Sequence, residues 1–349
     1  MTEITLTPAI ELAQRVKRKE ISAVELLELH LQRYQQHNPA INAVIFTQID
    51  HAYEQAQAAD EAVTRGKTTG PLHGVPMTIK DSYDWIGSPS TWGMPEMIDN
   101  YPEVNAVAVQ RLLDAGAIIY GKSNVPLKLS DWQSFNEIYG ITNNPWDPTR
   151  TPGGSSGGAA AALATGMASL EIGSDIGASI RGPAHFCGVY GHKPTMGIVP
   201  LQGHLLPGDT AHEDILVGGP LARSAGDLKL ALDILAGPTG ELEKAWQFQL
   251  PPSRKSKLSD FKVGVLMESP VCAQDEQLTE QLLDTVATLE KAGVQTDRAA
   301  DPGFDWRRYW EVYLLLLRAT TSASYTDDEY EFHLQSAAAR NSDSTEYRA

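Results

Sequence analysis

Apolar and polar residues alternate early in the chain with the period of a helix. In the stretch ISAVELLELHLQRYQQHNP the apolar positions fall on one face of a predicted helix. These positions are Val24, Leu27, Leu31 and Tyr34. Ser22 and Glu25 form the pattern of a capping box at the start of that helix. Asn38 and Pro39 predict its end, because a proline ring does not fit a helix interior.

Short apolar runs follow and alternate with further helical patterns. Strands are predicted at 43–46, 75–80, 117–124 and 261–267, with a strand and a turn at 188–200. Helices are predicted at 51–65, 105–116, 225–237 and 275–293, and a charged linker at 251–260. The run 117–124 is apolar as in the buried strands of parallel sheets. The alternation predicts an α/β fold with a single large mixed sheet and helices on both faces.

A glycine- and serine-rich segment, TPGGSSGGAAAALATG, runs from Thr151 to Gly166. A flexible linker would lack the alanine-rich helical pattern that follows. A phosphate-binding P-loop would need a lysine after its last glycine, where this chain has an alanine. A GxSxG nucleophile elbow matches only loosely, and no Asp and His complete that triad at readable positions. The glycines predict a tight turn into a helix N-terminus, and structural and catalytic uses of the serines both stay open.

Composition narrows the classes of function. Of the 349 residues, 42% are hydrophobic and 21% charged, and the formal net charge is −16. Nucleic-acid binding is not expected, because phosphate affinity comes from clusters of Lys and Arg. The longest strongly apolar run, 313–317, is too short to span a bilayer, and no secretory signal is visible. The cysteines and histidines show no ligand spacing, so we expect a cytoplasmic protein without a metal or cofactor.

A set of sequence blocks then occurs in order. They read HGVPMTIKDS, GAIIYGKSN, YGITNNPWDPTRTPGGSSGGAAAALATG, GSDIGASIRGPAHFCGVYGHKPTMGIVP and GGPLARSAGDLKLALDILAG. Together they resemble the amidase signature family, whose members hydrolyse amide bonds with a Ser-Ser-Lys triad. The resemblance covers residues 8–300 and is densest from 73 to 237. It implies that family's fold, with a domain over 1–300 that 301–349 continues in diverged or truncated form.

The resemblance gives roles to individual residues. Lys80, at the end of GVPMTIK, matches the catalytic lysine. Ser155, the first serine of GGSSGG, matches the bridging serine, which the family holds after a cis peptide bond. Ser179 matches the nucleophile that carries the acyl group.

The residues around Ser179 complete the predicted site. Backbone N–H groups for the tetrahedral oxyanion are expected from Ile176, Gly177 and Ala178. Asp175 and Arg181 are expected to support Ser179, as an ion pair. The family usually has a glycine where this chain has Ala178. A positive φ there would cost about 1–2 kcal/mol, whereas a negative φ would keep the oxyanion donor without strain.

The chemistry explains why a lysine and two serines are needed. A serine hydroxyl attacks only when a base takes its proton. Lys80 is such a base only when neutral, and the ordinary pKa of lysine is about 10.4. Burial at the end of a central strand lowers that pKa, and a drop of about three units costs roughly 4 kcal/mol. Ser155 would then relay the proton from Ser179 to Lys80 and return it to the departing amine.

Structural alternatives stand beside each of these roles. Lys80 could be a surface lysine that begins a loop, Ser155 could cap the next helix, and Ser179 could be a turn serine. Lys122 is another candidate base, which the resemblance places at a structural strand end. Cys187 lies in an apolar stretch and is expected in the core. Three aromatic residues either line a pocket or pack: Trp92, Trp132 and Phe135.

Members of the family normally continue beyond the point at which this chain stops. The segment WRRYWEVYLLLLRAT has an apolar face that needs a partner, so a homo-oligomer or low solubility is expected. The predicted function is hydrolysis of a small or medium carboxylic amide through a Ser179 acyl-enzyme. Two alternatives stay open. One is a non-catalytic, truncated amidase-like protein, and the other is an amidotransferase A-type subunit that needs protein partners and tRNA.

Overall fold

A computed structural model describes residues 4–68, 70–206, 214–269, 271–322 and 325–339 of the chain. The chain forms two compact units, residues 1–249 and 250–349. The boundary between the units lies beside the predicted charged linker. The predicted domain limits at 1–300 and 301–349 stay a prediction, and residues 340–349 lie outside the described residues.

The first unit alternates helices and strands. Its helices are α1 Ala9–Lys17, α2 Ala23–Ile41, α3 Ile49–Thr64, α4 Val107–Asp114, α5 Gly157–Ala164, α6 Arg181–Cys187, α7 Ala225–Leu235 and α8 Leu242–Ala245. Its strands are β1 Val44–Thr47, β2 Val75–Lys80, β3 Ala117–Ser123, β4 Phe135–Asn136, β5 Gly140–Ile141, β6 Leu170–Asp175, β7 Tyr190–Gly191 and β8 Val217–Ala222. Short 3-10 helices lie at Ile4–Leu6, Pro95–Met97 and Leu127–Leu129. The predicted strands and helices of this unit are thus present, although only two residues of 188–200 form a strand.

The strands pair into separate small sheets. One has the order β1-β3-β2, with β2 parallel and β1 antiparallel to β3. Another has the order β6-β8-β7 and is antiparallel throughout. Strands β4 and β5 form a two-stranded antiparallel pair. The mixed α/β character is confirmed, but the single large sheet is not.

The two three-stranded sheets meet where β2 lies beside β6. The N–H of Ser169, just before β6, donates to the carbonyl of Pro76 in β2 at 3.2 Å. All residues of β2, β3 and β6 are buried. The ends of these strands therefore lie in the interior of the unit, where a polar side chain is largely screened from water.

Helix α2 begins as its sequence predicts and ends later. The hydroxyl of Ser22 accepts from the N–H of Glu25, and the Glu25 carboxylate accepts from the N–H of Ser22. The predicted end at Asn38 and Pro39 is wrong, because the helix continues to Ile41 with the proline inside it. Asn42 closes the helix in the left-handed region, with φ 54°.

Helix α5 is enclosed on all sides. All but the last of its residues are buried, and it is made only of glycine, alanine and one leucine. A Cβ at Gly158 would collide with the backbone of Asn124, just after β3. Such a close approach of helix to strand admits only glycine at this position. The helix therefore fixes the start of its own N-terminal loop, which carries Ser155, against the end of β3.

The second unit contains a parallel strand pair with a helix between its strands in sequence. Its elements are β9 Lys262–Gly264, α9 Glu276–Lys291, β10 Gln295–Asp297, α10 Trp306–Thr321 and α11 Asp327–Ala339, with a 3-10 helix at Leu258–Asp260. Strand β10 pairs parallel with β9. Asp275 caps α9 by accepting from the N–H of Leu278 at 3.1 Å, so the predicted helix at 275–293 is confirmed.

Helix α10 carries the aromatic and leucine-rich segment. Tyr309, Trp310 and Leu315 are exposed on it. Phe304 stacks on Tyr309, with ring centroids 6.0 Å apart. None of the helices in the described ranges combines the length and the hydropathy needed to cross a bilayer.

Candidate active site

Lys80 is the last residue of β2, and its side chain is completely buried. Its Nζ donates to Ser155 Oγ at 2.7 Å and to Ser174 Oγ at 3.0 Å. Ser155 is 1% exposed and Ser174 lies at the end of β6. The surface alternative for Lys80 is therefore wrong. The lysine joins the glycine-rich loop to the strand that leads toward Ser179.

Burial changes the acid–base behaviour of this lysine. Loss of hydration disfavours the ammonium form and lowers the pKa of Lys80 to about 7. The carboxyl groups of Asp175, Glu171 and Asp81 oppose the shift without cancelling it. The neutral amine is then well populated near pH 7, as a general base requires.

The loop that carries Ser155 is packed tightly from its other side. The Gly154–Ser155 peptide bond is cis. A Cβ at Gly154 would collide with the backbone oxygens of Gln133 and Asp131. The capping alternative for Ser155 is not supported, because Ser156 is the N-cap residue of α5 and makes no side-chain cap. The Ser155 hydroxyl is directed to Lys80 instead.

A backbone hydrogen bond joins Ser179 to this loop. The N–H of Ser156 donates to the Ser179 carbonyl at 3.1 Å, and Ser179 is 7% exposed. Within the described part of the chain, the Ser179 hydroxyl donates to and accepts from no other group. The structure thus joins Lys80 and Ser155 directly and places Ser179 on the adjoining loop.

Asp175 organises the turn in front of Ser179. Its carboxylate accepts from the N–H groups of Ala178 at 3.0 Å, Ile180 at 3.0 Å and Arg181 at 3.2 Å. The Arg181 guanidinium adds two hydrogen bonds, at 2.9 and 3.1 Å. Burial alone would raise the pKa of Asp175, but the hydrogen bonds from Arg181 and Ile180 outweigh burial and lower it. The expected Asp175–Arg181 ion pair is present.

Ala178 adopts the left-handed conformation, with φ 78°. Its Cβ makes that conformation cost about 1–2 kcal/mol relative to the right-handed regions. Its N–H is bonded to Asp175, which corrects the expectation that Ala178 donates to the oxyanion. Over the ranges that the structure describes, the N–H groups of Ile176, Gly177 and Ser179 have no acceptor. These three are the available donors, and the Ser179 N–H was missed in the sequence.

Other groups around the site also escaped the sequence analysis. Ser174 had no signal apart from its place before Asp175 in GSDIGAS. Glu171, earlier in β6, accepts from the Thr78 hydroxyl and the Ile172 N–H. Burial raises the pKa of Glu171 to about 8.

The second buried lysine has different partners. Lys122 Nζ donates to the Pro89 carbonyl at 2.7 Å and to Ser90 Oγ at 3.1 Å. Burial lowers the pKa of Lys122 to about 8. Its partners are not the serines of the site, which supports a structural role. Cys187 is buried, and burial raises the pKa of its thiol to about 12, as expected for a core cysteine.

The three aromatic residues that were candidates for lining a pocket lie in different surroundings. Trp92 is buried and stacks on His204, with ring centroids 5.0 Å apart, so it packs. Trp132 is 62% exposed, and its indole Nε1 donates to the Gly177 carbonyl at 2.7 Å. Phe135 is exposed at the start of β4. No cluster of three His, Cys, Asp or Glu residues that could hold a metal occurs among the described residues.

Comparison with known proteins shows the family to which the chain belongs. The family model named Amidase matches residues 25–346, and the chain belongs to the amidase signature family. It is 40% identical over 311 residues to an indoleacetamide hydrolase of Bradyrhizobium diazoefficiens, covering 87% of this chain and 58% of that protein. It is 33% identical over 326 residues to the A-type subunit of the glutamyl-tRNA(Gln) amidotransferase from Carboxydothermus hydrogenoformans, covering 92% of this chain and 66% of that protein.

The chain is also similar to solved structures. A fatty acid amide hydrolase superposes with a TM-score of 0.82 at 27% identity, over 91% of this chain and 57% of that one. The fold class expected from the resemblance is confirmed. The chain spans between about half and two thirds of the length of the curated relatives that it matches.

Proposed function

We propose that this protein hydrolyses a carboxylic amide to a carboxylate and ammonia or an amine, through an acyl-enzyme on Ser179. The contact that carries the proposal is the 2.7 Å hydrogen bond between Lys80 and Ser155 in a water-excluded interior. A lysine with a pKa of about 7 in contact with a serine is suited to exchange a proton with it.

Acylation begins with neutral Lys80. The amine takes the Ser155 proton as Ser155 takes the Ser179 proton, and Ser179 Oγ bonds to the amide carbon. The carbonyl π electrons move to oxygen, and the N–H groups of Ile176, Gly177 and Ser179 stabilise that oxyanion. When the tetrahedral intermediate collapses, the C–N bond breaks, and the proton returns through Ser155 to the leaving nitrogen.

Deacylation repeats these steps with water in place of Ser179. Water loses a proton through the same relay and bonds to the acyl carbon. The bond to Ser179 Oγ then breaks, the serine recovers its proton, and a carboxylic acid leaves, which ionises to the carboxylate in water. Lys80 ends the cycle neutral, so each turnover consumes one water molecule and no cofactor is required.

The substrate is proposed to be a small or medium amide. Relatives named for indoleacetamide and for fatty-acid amides support amide chemistry with differing acyl groups. The net charge of −16 argues against direct binding of nucleic acid. A cytoplasmic location and a homo-oligomer stay predictions.

A second candidate is an amidotransferase A-type subunit. The 33% identity to such a protein over 92% of this chain favours it. The acidic charge disfavours tRNA contacts on this chain itself. The third alternative, a non-catalytic amidase-like protein, predicts no covalent chemistry at Ser179.

Intact-mass detection of an adduct with a fluorophosphonate probe tests the proposal. One adduct per chain on Ser179, with release of ammonia from simple amides by the protein alone, supports an amidase. An adduct without amide turnover by the protein alone, followed by turnover when partner proteins are added, indicates the amidotransferase. No adduct contradicts both and leaves the non-catalytic protein.

A further inference from the structure

One short segment, Asp131 to Ser134, contacts both serine loops. Ser134 Oγ donates to the Gly153 carbonyl at 3.1 Å and accepts from the Gly157 N–H at 3.1 Å. Those bonds bracket Ser155. Trp132, two residues earlier, donates its indole N–H to Gly177, two residues before Ser179. The segment therefore ties the relay serine and the nucleophile to one support.

The Trp132 contact fixes one particular peptide group. The Gly177–Ala178 peptide has its carbonyl held by Trp132 at 2.7 Å and its N–H held by the Asp175 carboxylate at 3.0 Å. Both polar ends of the same plane are thus bonded, on opposite sides, to groups from different parts of the chain. A rotation of this plane would break both hydrogen bonds.

Without these two hydrogen bonds, the strain at Ala178 would favour such a rotation. A peptide flip changes ψ of Gly177 and φ of Ala178 together. Gly177 tolerates either value, whereas Ala178 would leave the strained φ of 78° for an ordinary negative one. A glycine at 178 would have no such preference. The observed conformation therefore depends on the two hydrogen bonds more than it would with glycine.

We propose that Trp132 is a positioning residue, whose indole N–H holds the Gly177–Ala178 peptide, the link between the Gly177 and Ser179 N–H donors, in the orientation that places both donors at the substrate. The inference rests on the amidase function proposed above. It assigns to Trp132 the task of offsetting the strain of an alanine with a positive φ at position 178. The exposed indole ring is not required for this task, because only its N–H bonds to the turn.

The test is Trp132→Phe, which removes the N–H and keeps an aromatic ring. Since the side chain is 62% exposed, the fold should survive. We expect kcat to fall roughly tenfold or more, because misaligned oxyanion donors lose transition-state stabilisation, with KM nearly unchanged. Trp146→Phe is the matched control. That indole is also exposed and also donates to a backbone carbonyl, that of Cys187 at 2.8 Å, but not in the Ser179 turn.

The second variant makes the test specific. Adding Ala178→Gly to Trp132→Phe should restore most of the lost kcat, because glycine removes the preference for the flipped peptide. Ala178→Gly alone should change kcat by less than about threefold. A Trp132→Phe variant that raises KM with kcat unchanged, or that glycine does not rescue, overturns the inference and makes Trp132 a substrate contact or a general structural residue.

Failure of this inference can be told from failure of the proposed function. Active-site titration of the parent with the fluorophosphonate probe counts competent Ser179 first. A parent that neither labels nor hydrolyses amides refutes the amidase function, and with it the inference. A parent that does both, with a Trp132→Phe variant of equal kcat, refutes the inference alone.

Discussion

Arg181 binds Asp175 from the solvent side while the carboxylate itself is fully buried. The guanidinium is 51% exposed and the carboxylate side chain 0% exposed, yet two hydrogen bonds of 2.9 and 3.1 Å join them. The same carboxylate accepts from three backbone N–H groups of the Ser179 turn. The negative charge is therefore satisfied on one side by a cation and on the other by the turn that it shapes.

This relationship predicts how stability varies with pH. The pKa of Asp175 is lower in the folded protein than in the unfolded chain, so the carboxylate stabilises the fold above the ordinary pKa of about 3.9. That contribution is lost as pH falls through the lowered value. Asp175→Asn should reduce the free energy of unfolding by roughly 2–3 kcal/mol at pH 7. The deficit relative to the parent should shrink below pH 4.

Chemical denaturation at pH 7 and at acid pH measures both quantities. Asp233→Asn, which removes an exposed carboxylate paired with Lys229, is the control and should change stability by less than about 0.5 kcal/mol. A deficit for Asp175→Asn that is constant with pH would show that the carboxylate charge is not the cause.

The nucleophile is tested by Ser179→Ala. Loss of its hydroxyl should abolish both amide turnover and labelling by the fluorophosphonate probe, because no acyl-enzyme can form. The melting temperature should change little, since the hydroxyl makes no hydrogen bond within the described ranges. Ser253→Ala, at an exposed serine, should leave labelling intact. Labelling that persists in Ser179→Ala, or moves to Ser155, would contradict the assignment.

The base is tested by the pH dependence of kcat/KM. Only neutral Lys80 accepts a proton, so the rate should fall on the acid side and rise to a plateau through an apparent pKa of about 7. Lys80→Ala should lose several orders of magnitude in the acylation rate. Lys229→Ala, at an exposed lysine, should lose none. A parent profile that keeps rising toward pH 10 would indicate a hydrated, ordinary lysine.

The left-handed conformation of Ala178 is tested by measuring the free energy of unfolding. Ala178→Gly removes the Cβ strain of about 1–2 kcal/mol but makes the unfolded chain more flexible by roughly 0.5–1 kcal/mol. The net expectation is a stabilisation of about 0.5–1 kcal/mol. Ala236→Gly, at a residue with φ −77°, should instead destabilise. A destabilised Ala178→Gly would show that φ of Ala178 is not positive in solution.

Local pattern predicted many elements of the first unit but missed others, among them β6 and β8. The capping box placed the start of α2, and the mainly apolar runs 75–80 and 117–124 placed β2 and β3 to within a residue. These features depend on neighbours in sequence. The partition into separate small sheets could not be read this way, because strand pairing depends on residues far apart in the chain.

The same distinction between local pattern and long-range contacts applies to the candidate site. Blocks of matching sequence indicated Lys80, Ser155 and Ser179, and the Lys80–Ser155 contact follows from the folded chain. The sequence did not predict the sign of φ at Ala178, since both signs are compatible with the neighbouring residues. The bond from Trp132 to Gly177 spans 45 residues and carries no local pattern. Such bonds become visible only when the loops are in place.

Helix α5 has a consequence for how new specificities could arise. Its small side chains leave no space between the helix and the strands, and Gly158 has no room even for a methyl group. Any enlargement there would displace the loop that begins the helix, and the hydroxyl of Ser155 with it. Laboratory evolution should therefore find this helix nearly closed to substitution. The sequence freedom of the first unit lies in exposed side chains such as Phe135.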